Sequence, residues 1–586
     1  MRPSVIFVLS AAQNALARCK CTPSDHCWPS ESTWNSLNET VNGKLIANKP
    51  LGRPCFSGAD EDSQLCEYVT GNWSDSWFLE DSPVGYSYPL LQTCTPGIAA
   101  LNPTCELGTS PVYTINATNE MDVVAGINFS KGNNVRLVIK NTGHDIVGRS
   151  QGYGSLSIWI KHIRSGIRYQ EQYKSSTECK SNWTGSALTV GGGYVWQDVY
   201  RVADQHGVIA VGGSDRSVGV IGGYLQGGGH GVVSHDFGLA ADQVLEYTVV
   251  LASGEVVTAN ECQNSDLFMA LRGGGGGTFG VVVSATIKAY PTRPVLMHTL
   301  ELAPLGKNLS SFYEVMAGVL SRFPELSDGG FSGNGLMGTR GEIRGYSHNF
   351  SKLLNSNTDY EAGKHAINEQ LMKYLDPFNG TKINIATSKF TVFPNWHSFF
   401  EGSGDHLSPV GTSSVLPSRF FDKKSLASQQ ETLKKVITTI FTTPNGETAP
   451  TASYLELCLI GGGKVLESEP LTSVNPAWRK TYLLMELAET WNENDISRKS
   501  VLNVSTNQKL KAMKNASPGM GAYVNEADRN DPDYKQDWYG DLYDWLTSVK
   551  SKYDPDSVFW CFNCIGSEGW EEVTGGTIYG PLCEVV

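Results

Sequence analysis

This sequence of 586 residues contains fewer basic than acidic residues, with 46 Lys and Arg and 59 Asp and Glu. The formal net charge is −13, and no cluster of Lys and Arg occurs along the chain. Binding to the phosphate backbone of a nucleic acid requires a positive field. The composition therefore argues against a nucleic-acid partner.

Long apolar runs are also missing. No stretch of about 18 apolar residues occurs, so the sequence predicts no membrane-spanning helix. Residues 1–17 carry one Arg, a short apolar core and the ending A-L-A, which is the pattern of a signal peptide cleaved after Ala17. The alternative is a frayed apolar N-terminus. We expect a secreted, extracellular protein.

Sequons and cysteines agree with secretion. Ten N-x-[S/T] sequons occur, at Asn38, Asn72, Asn116, Asn128, Asn182, Asn308, Asn349, Asn379, Asn503 and Asn515. Seven of the 13 cysteines precede residue 106, which predicts a disulfide-pinned N-terminal extension. The odd total leaves at least one thiol free or paired outside the chain. Cys561 and Cys564 form a C-x-x-C pair, for which a redox or zinc site is the less favoured alternative to a disulfide.

The known phosphate-binding loops are absent as well. The glycine-rich segments 212–231 and 273–277 contain no G-K-[S/T], so they form no P-loop, and they lack the context of a nicotinamide fingerprint. Glycine allows a backbone to approach a ligand closely and to present successive N–H groups to a pyrophosphate. Apolar residues interrupt the first segment, which disfavours a flexible linker. A dinucleotide cofactor is the favoured interpretation.

Alternating strand and helix patterns predict an α+β fold. We divide the chain into a signal peptide at 1–17, a cysteine-rich extension at 18–106, a cofactor domain at 107–292, an α+β substrate domain at 293–510 and a C-terminal segment at 511–586. No repeats or coiled coils are found.

Four motifs occur in the order typical of one family. N-T-G-H-D follows the apolar run V-R-L-V-I-K, and V-G-G-S-D-R-S-V-G-V-I-G-G-Y-L-Q-G-G-G-H-G and L-R-G-G-G-G-G-T-F-G-V-V come next. These motifs resemble the FAD domain of the vanillyl-alcohol oxidase superfamily. The tail, with Y-V-N-E-A-D, is similar to the berberine bridge enzyme-like branch. The resemblance implies a two-part FAD-binding domain with an inserted substrate domain.

His144 taken alone could be an exposed residue of a turn. The resemblance instead implies that its ring nitrogen bonds covalently to the 8α-methyl of FAD. We expect the cofactor to be bound by these residues: Asn141, Thr142, Gly143, His144, Asp145, Gly213, Ser214, Asp215, Val218, Gly219, Gly222, Gly223, Gly227, Gly228, Gly229, Gly280, Val281 and Asn525.

Two positions deserve separate interpretation. Many members of the branch carry a second flavin bond from a cysteine, and Asp215 stands at that position here. We therefore expect a single bond, unless Cys179 or Cys262 lies close to the flavin. Val218 occupies the position that controls oxygen access in the branch, where valine resembles the oxygen-reactive members. Its alternative is an ordinary core residue of a strand.

Three residues are candidates for catalytic proton transfer. His230 aligns with an active-site tyrosine of the family, and its usual pKa suits a general base. Tyr523 matches a tyrosine of the family's pocket. Glu486 lies five residues before Trp491, on a strand that would turn it toward a cavity or toward solvent. The alternatives are structural: a backbone-bonded histidine, a core aromatic residue and a solvent-facing glutamate.

We expect no metal site, because the spacing of His230 and His235 suits zinc poorly. The resemblance implies an FAD-dependent oxidase that oxidises an alcohol or amine carbon of a small molecule and reduces O2 to hydrogen peroxide. The alternatives are a dehydrogenase or ring-forming oxidase of secondary metabolism and, in another class, a secreted glycoprotein that only binds a ligand. We expect a monomer.

Overall fold

The computed structural model places helices and sheets around three main apolar cores. It describes residues 18–90, 94–98, 104–177, 179–306, 309–340, 343–403, 410–442, 453–467, 471–490, 498–574 and 579–585. The predicted signal peptide lies outside these residues. Within the described part of the chain, no helix has the length and apolar character needed to cross a bilayer.

The first sheet leads the chain to His144. Its strands in spatial order are Leu45–Ala47, Tyr113–Asn116, Ser155–Trp159 and Arg136–Lys140. The last three run parallel, and helix Glu120–Asn133 connects the second strand to the fourth. Asn119 caps that helix by accepting a hydrogen bond from the backbone N–H of Asp122 at 3.1 Å. Because the first strand comes from the cysteine-rich extension, that extension is joined to the sheet.

The second sheet is antiparallel, and its central strand follows the second glycine segment. Its strands in order are Ile167–Gln170, Ala187–Gly191, Val281–Lys288, Val244–Val250 and Val256–Asn260. The last two strands form a hairpin with Gly254 at its turn, where Gly254 has a φ of +85°. Two further strand pairs are short: Val208–Ile209 with Tyr290–Pro291, and Trp570–Glu572 with Leu582–Glu584.

The third sheet is antiparallel and has eight strands. Seven of them lie in the order Ile383–Phe393, Val295–Pro304, Ile343–Leu353, Gly333–Arg340, Ser453–Leu459, Thr481–Thr490 and Ser414–Val415, and Ser418–Asp422 also pairs with Thr481–Thr490. Apolar residues of helices Ser310–Leu320 and Gln430–Phe441 form the second core together with this sheet. The other face of the sheet provides one wall of the central cavity.

The remaining helices are short, and many connect the sheets. The α-helices are Glu31–Thr40, Ser63–Gly71, Ser76–Glu80, Trp196–Gln205, Leu225–Gly227, Ser234–Phe237, Ser265–Ala270, Phe323–Asp328, Asn357–Ile367, Lys373–Leu375, Trp396–Gly402, Lys423–Ala427, Arg498–Val504, Lys511–Ala516, Tyr534–Tyr539 and Tyr543–Tyr553. Single π-turns occur at Val220–Tyr224, Asn368–Met372 and Ser505–Leu510. The 3₁₀ turns are Arg53–Cys55, Pro96–Ile98, Ile160–His162, Ala240–Gln243, Asp376–Phe378, Gly463–Leu466, Pro476–Lys480, Gly540–Leu542 and Ser567–Gly569.

Apolar periodicity predicts single helices from Ser310 to Phe323 and from Lys424 to Phe441, and both are divided in the structure. The expected helix from Ser310 to Phe323 ends at Leu320, and a new helix begins at Phe323. Pro324 lies in the first turn of that second helix, where its missing N–H costs nothing. The expected helix from Lys424 to Phe441 is interrupted between Ala427 and Gln430.

Six disulfides join twelve of the thirteen cysteines: Cys19–Cys583, Cys21–Cys27, Cys55–Cys66, Cys94–Cys105, Cys179–Cys262 and Cys561–Cys564. Cys458 is the free thiol. The disulfide-pinned extension is thus confirmed, and Cys561 and Cys564 of the C-x-x-C pair form a disulfide in this structure. The first disulfide ties residue 19 to the C-terminal segment, which returns to the cofactor domain.

Candidate active site

A cavity of about 550 Å³ lies between the glycine segments, the third sheet and the C-terminal segment. All three predicted catalytic residues line it, and so do fifteen of the predicted cofactor-binding residues: Asn141, Thr142, Gly143, His144, Asp145, Gly213, Ser214, Asp215, Val218, Gly219, Gly222, Gly223, Gly280, Val281 and Asn525. Motifs hundreds of residues apart in the sequence therefore meet at one site. Its volume is in the range of ligand pockets.

Gly227, Gly228 and Gly229 are not part of the cavity wall. A Cβ atom on Gly227 would collide with the side chain of Asn525, and one on Gly229 would collide with the ring of Tyr224. Gly228 and Gly229 have φ values of +126° and +69°, which favour glycine. These three glycines therefore permit close packing behind the cavity.

The loop that carries His144 is held from several sides. Gly143 has a φ of +94°, and its carbonyl accepts a hydrogen bond from the backbone N–H of Ser87 at 3.1 Å. Asn141 donates to the carbonyl of Gly192 at 3.0 Å, and its own carbonyl accepts from the indole of Trp159 at 2.9 Å. These contacts come from three different segments. They place His144 in one position at the end of the first sheet.

The His144 ring is largely buried, and its Nε2 lies 2.6 Å from the hydroxyl of Ser217. Glu80 approaches the same nitrogen at 3.3 Å. Burial alone would lower the pKa of His144, but Glu80 and Asp215 outweigh it and raise the pKa above its usual value. His144 is therefore not the exposed turn residue that the motif alone would suggest.

Asp145 organises the only Arg or Lys side chain that lines the described part of the cavity. Its carboxylate accepts from Nε of Arg149 at 2.8 Å, and Arg149 also donates to Oδ1 of Asn525 at 2.9 Å. Asn525 in turn donates to the carbonyl of Gly223 at 3.0 Å. This chain of contacts joins the first motif, the glycine segment and the tail motif.

The glycine end of the cavity has the features of a cofactor cradle. A Cβ on Gly223 would meet nothing within 4 Å, so this backbone borders open space. The side-chain oxygens of Asn141 and Gln226 are buried and accept no hydrogen bond from a described residue. Buried polar groups in folded proteins normally have partners. A ligand with N–H or O–H donors and a negatively charged group, as FAD has, would satisfy these oxygens and Arg149.

Another part of the cavity wall, called the acidic end here, carries carboxylates. Glu456 and Glu486 face each other on paired strands of the third sheet, so their side chains share one face. Only 3% of Glu486 is exposed, so the solvent-facing alternative for this residue is wrong. Cys458 lies close by, with its Sγ 3.9 Å from Oε1 of Glu486.

The third carboxylate, Glu526, belongs to the tail motif and contacts His230. The Nε2 atom of His230 lies 2.9 Å from a carboxylate oxygen of Glu526. Against the effect of burial, His230 and a hydrogen bond from Glu486 hold the pKa of Glu526 below its usual value. Burial, followed by the charges of Glu526 and Glu456, raises the pKa of Glu486 well above its usual value. We therefore assign the shared proton to Glu486 and the negative charge to Glu526.

Burial also raises the pKa of Glu456 to about 7. One nitrogen of His230 and one oxygen each of Glu486 and Glu526 lie within 4.8 Å of one another, a spacing that could also hold a metal ion. A proton shared by Glu486 and Glu526 relieves the repulsion between the two carboxylates without a metal ion.

Tyr523 is almost completely buried and touches both ends of the site. Its hydroxyl oxygen accepts from Asn525 at 2.6 Å and from the backbone N–H of Gly229 at 3.1 Å. Burial raises its pKa, so the phenol stays protonated and can donate to a ligand. Its ring packs at 5.1 Å from the ring of His230 in an edge-to-face arrangement. A donor role suits Tyr523 better than that of a base.

Three contributors to the site were missed in the sequence: Glu526, Glu456 and Arg149. Glu526 stands beside Asn525 in the quoted tail motif. Glu456 interrupts the apolar strand Y-L-E-L-C-L-I, and a charge in such a run was the available signal. Arg149 lies four residues after Asp145, in a loop without periodic pattern, where no signal distinguishes it.

Comparison with known proteins agrees with this geometry. The sequence profile of the FAD binding domain family matches residues 111–260, and that of the berberine and berberine-like family matches residues 522–565. FAD-linked oxidoreductase apf9 of Gibberella fujikuroi is 37% identical over 594 residues, covering 99% of this chain and 100% of the relative. The crystal structure of the VAO-type flavoprotein MtVAO713 from Myceliophthora thermophila C1 has a TM-score of 0.90 at 37% identity, covering 97% of this chain and 100% of that chain.

More distant relatives extend the comparison. The bifunctional decalin synthase calF of Penicillium decumbens is 32% identical, covering 98% of this chain and 97% of the relative. The glucooligosaccharide oxidase of Acremonium strictum, described with a 6-S-cysteinyl, 8α-N1-histidyl FAD, shares the fold at 18% identity and a TM-score of 0.62, covering 90% of this chain and 99% of that chain. With relatives that match up to 99% of its length, the chain belongs to the berberine bridge enzyme-like branch of the vanillyl-alcohol oxidase superfamily and is an FAD-linked oxidoreductase.

Proposed function

We propose that the protein is a secreted oxidase that carries FAD on His144 and oxidises an alcohol or amine carbon of a small molecule, with O2 as the final acceptor and hydrogen peroxide as product. One observation carries the proposal. A single cavity joins the His144 loop and the glycine cradle to the pair formed by His230 and Glu526. Bound FAD supplies the hydride acceptor in such a reaction.

His230 is the general base in this proposal. Its Nε2–H donates to the carboxylate of Glu526, which fixes the tautomer and leaves Nδ1 as the proton acceptor. Nδ1 has no hydrogen-bond partner among the described residues. A substrate O–H or N–H would give its proton to this atom, and Glu526 would stabilise the resulting imidazolium.

The other two predicted catalytic residues bind the substrate and orient the base. Tyr523 donates its hydroxyl proton to the substrate, since its oxygen already accepts two hydrogen bonds. Protonated Glu486 donates a hydrogen bond to Glu526, so it holds that carboxylate beside His230. Val218 lines the cavity as well, where its size would influence the approach of oxygen.

Secretion and histidyl attachment are further parts of this proposal. Six disulfides support an oxidising compartment, because such bonds are rare in the cytosol. The histidyl FAD of the glucooligosaccharide oxidase is in keeping with attachment through His144. The paired cysteines Cys179 and Cys262 leave no thiol at those positions for a second flavin bond.

A ring-forming oxidase of secondary metabolism is the second candidate. The similarity to a bifunctional decalin synthase favours it. The same base would serve both reactions, so the product and the oxygen consumed per turnover distinguish them. A protein that only binds a ligand fits less well, because the relatives across the whole chain include named oxidoreductases.

Acid precipitation of the purified protein tests the attachment. We expect a yellow pellet from the wild type and a yellow supernatant from His144→Ala. A colourless pellet from the flavin-loaded wild type would contradict histidyl attachment. Anaerobic mixing with candidate alcohols and amines, followed by admission of air, then tests the oxidase. Flavin bleaching without recovery in air would favour a dehydrogenase.

A further inference from the structure

The cysteine-rich extension places one carboxylate against the flavin-attachment histidine. Glu80 ends the short helix Ser76–Glu80, and 0% of its side chain is exposed. Its Oε1 lies 3.3 Å from Nε2 of His144, and no other described residue donates a hydrogen bond to it. Its Oε2 lies 3.3 Å from the ammonium of Lys161. An ionised oxygen buried in this way needs a donor, and Nε2–H of His144 is the group that faces it.

The contacts of Ser217 define which ring nitrogen carries the proton. The Ser217 hydroxyl donates to Asp215 at 2.8 Å, so its proton is already used. Toward Nε2 of His144, at 2.6 Å, Ser217 can therefore only accept. Glu80 and Ser217 thus both require Nε2–H. In neutral histidine the other nitrogen, Nδ1, then keeps its lone pair.

We propose that Glu80 is a positioning residue for flavin attachment, holding His144 as the Nε2–H tautomer with Nδ1 free to bond to FAD. This inference rests on the proposed covalent attachment to His144. In this proposal, the cysteine-rich extension takes part in the covalent attachment of the flavin. Asp215, at the position where many relatives carry a cysteine, acts from the other side through Ser217.

The attachment reaction balances with oxygen as oxidant. A bond forms between Nδ1 and the 8α carbon of the flavin. One C–H bond of that methyl group breaks, and Nε2 gives up its proton as the bond to Nδ1 forms. The two electrons of the C–H bond pass through the flavin ring to O2, which takes up two protons and becomes hydrogen peroxide. Glu80 stabilises the positive charge that develops on the imidazole.

The charged groups around the ring determine how attachment depends on pH. Glu80 and Asp215 raise the proton affinity of His144, and Lys140 lowers it. Attachment requires the neutral ring. In Glu80→Gln we therefore expect the pH profile of the attachment rate to shift toward acid, because one of the two negative charges is lost. An effect on folding alone would lower the rate without moving this midpoint.

The test follows attachment directly. Full-length apoprotein from a riboflavin-limited host is mixed with FAD, and acid-stable flavin is measured over time and pH. We expect Glu80→Gln to bind FAD but to attach it about 10²–10⁴ times more slowly, as expected for a histidine held in the wrong tautomer. Asp81→Asn is the matched control, since the neighbouring carboxylate is 78% exposed and, among the described residues, forms an ion pair with Lys161 alone. The control should attach flavin at the wild-type rate.

Glu80→Asp decides the matter if Glu80→Gln does not fold. It keeps the charge beside Lys161 but withdraws the carboxylate from His144 by one methylene. We expect Glu80→Asp to bind FAD as the wild type does but to attach it slowly, and the retained FAD binding distinguishes this result from a folding defect. Attachment at the wild-type rate in either variant would overturn the role of Glu80 while leaving His144 as the attachment site. Absence of acid-stable flavin in the wild type would instead contradict the proposed attachment itself.

Discussion

The two ends of the cavity differ in what they are made of. At the His144 end the wall is mainly glycine backbone and small side chains, and its charged residues are Asp145, paired with Arg149, and Asp215. At the opposite end, Glu456 and Glu486 project from one sheet and meet His230 and Glu526. The first end suits a cofactor that is bound once and kept. The second suits proton transfer to and from exchanging substrates.

This comparison predicts that each end can be damaged alone. The largest effect is expected for His230→Ala, which removes the proposed base and keeps His144 and its hydrogen-bond partners. Flavin reduction by substrate under anaerobic conditions should slow by about 10²–10⁴, while the acid-stable flavin remains at the wild-type level.

His235→Ala is the control for this experiment. His235 is also partly buried but lies outside the cavity lining, next to Gly463. We expect it to reduce flavin at close to the wild-type rate. If His230→Ala reduced its flavin within about twofold of the wild type, His230 would not be the base. Glu526→Gln would then show whether the carboxylate acts without it.

The carboxylates of the acidic end should also lower the stability of the folded protein at neutral pH. Because Glu456 has a pKa of about 7 in the fold, the folded protein keeps its proton where the unfolded chain has already lost it. Stability is therefore lost as the pH rises from about 4.5 to about 7. Glu456→Gln should stabilise the flavin-loaded protein by about 1–3 kcal/mol at pH 7.5, at roughly 1.4 kcal/mol for each pKa unit with a discount for coupled groups, and by little at pH 4.

Thermal unfolding at the two pH values measures this difference. The matched control is Glu361→Gln, which removes a carboxylate that is 71% exposed in the same domain. It should leave the pH dependence unchanged. A stabilisation by Glu456→Gln that was equal at both pH values would indicate relief of packing rather than of a buried charge.

The sequence predicted the two ends unequally, for a physical reason. The cofactor end depends on positions that accept only certain residues, such as glycine where φ is positive. These positions form local motifs in the sequence. His144, Asp145, Gly223 and Asn525 could therefore be found from four short stretches. The domain order and α+β class followed from the same stretches and from hydrophobic periodicity.

The acidic end could not be recognised in the same way. Glu456 and Glu486 become neighbours only when two strands thirty residues apart pair in one register, and no local pattern specifies that register. Glu80 depends on the path of a cysteine-rich segment with little periodicity. Such residues can be identified only in the folded structure, because their function depends on the distances between segments that are far apart in the sequence.

The third sheet carries a second pH-sensitive element away from the cavity. His348 is buried against Phe350, with ring centroids 4.0 Å apart, and burial lowers its pKa to about 3. As the pH falls from about 6.5 toward 3, the unfolded chain binds a proton that the folded chain refuses, so stability falls. His298, with a pKa lowered to about 4, adds to the same trend.

His348→Leu should therefore flatten the loss of stability at acid pH. Relative to the wild type, we expect it to gain about 1–2 kcal/mol between pH 7 and pH 5, since one pH unit corresponds to about 1.4 kcal/mol for each unmatched proton. His26→Leu in the extension is the control, because that residue is exposed. Parallel curves of Tm against pH for His348→Leu and the wild type would contradict this source of acid sensitivity.

The smallest expected effect concerns oxygen and joins the two ends. Val218 lines the cavity between Ser217, which contacts His144, and the glycine cradle. Val218→Leu adds one methylene to this wall, which should slow reoxidation of reduced flavin several-fold by narrowing the oxygen path, without changing reduction by substrate or acid-stable flavin. Stopped-flow mixing of the reduced protein with aerated buffer measures the step, and Val218→Ala should leave it unchanged or faster. Equal reoxidation rates in all three proteins would leave Val218 as a packing residue and place oxygen control elsewhere in the cavity.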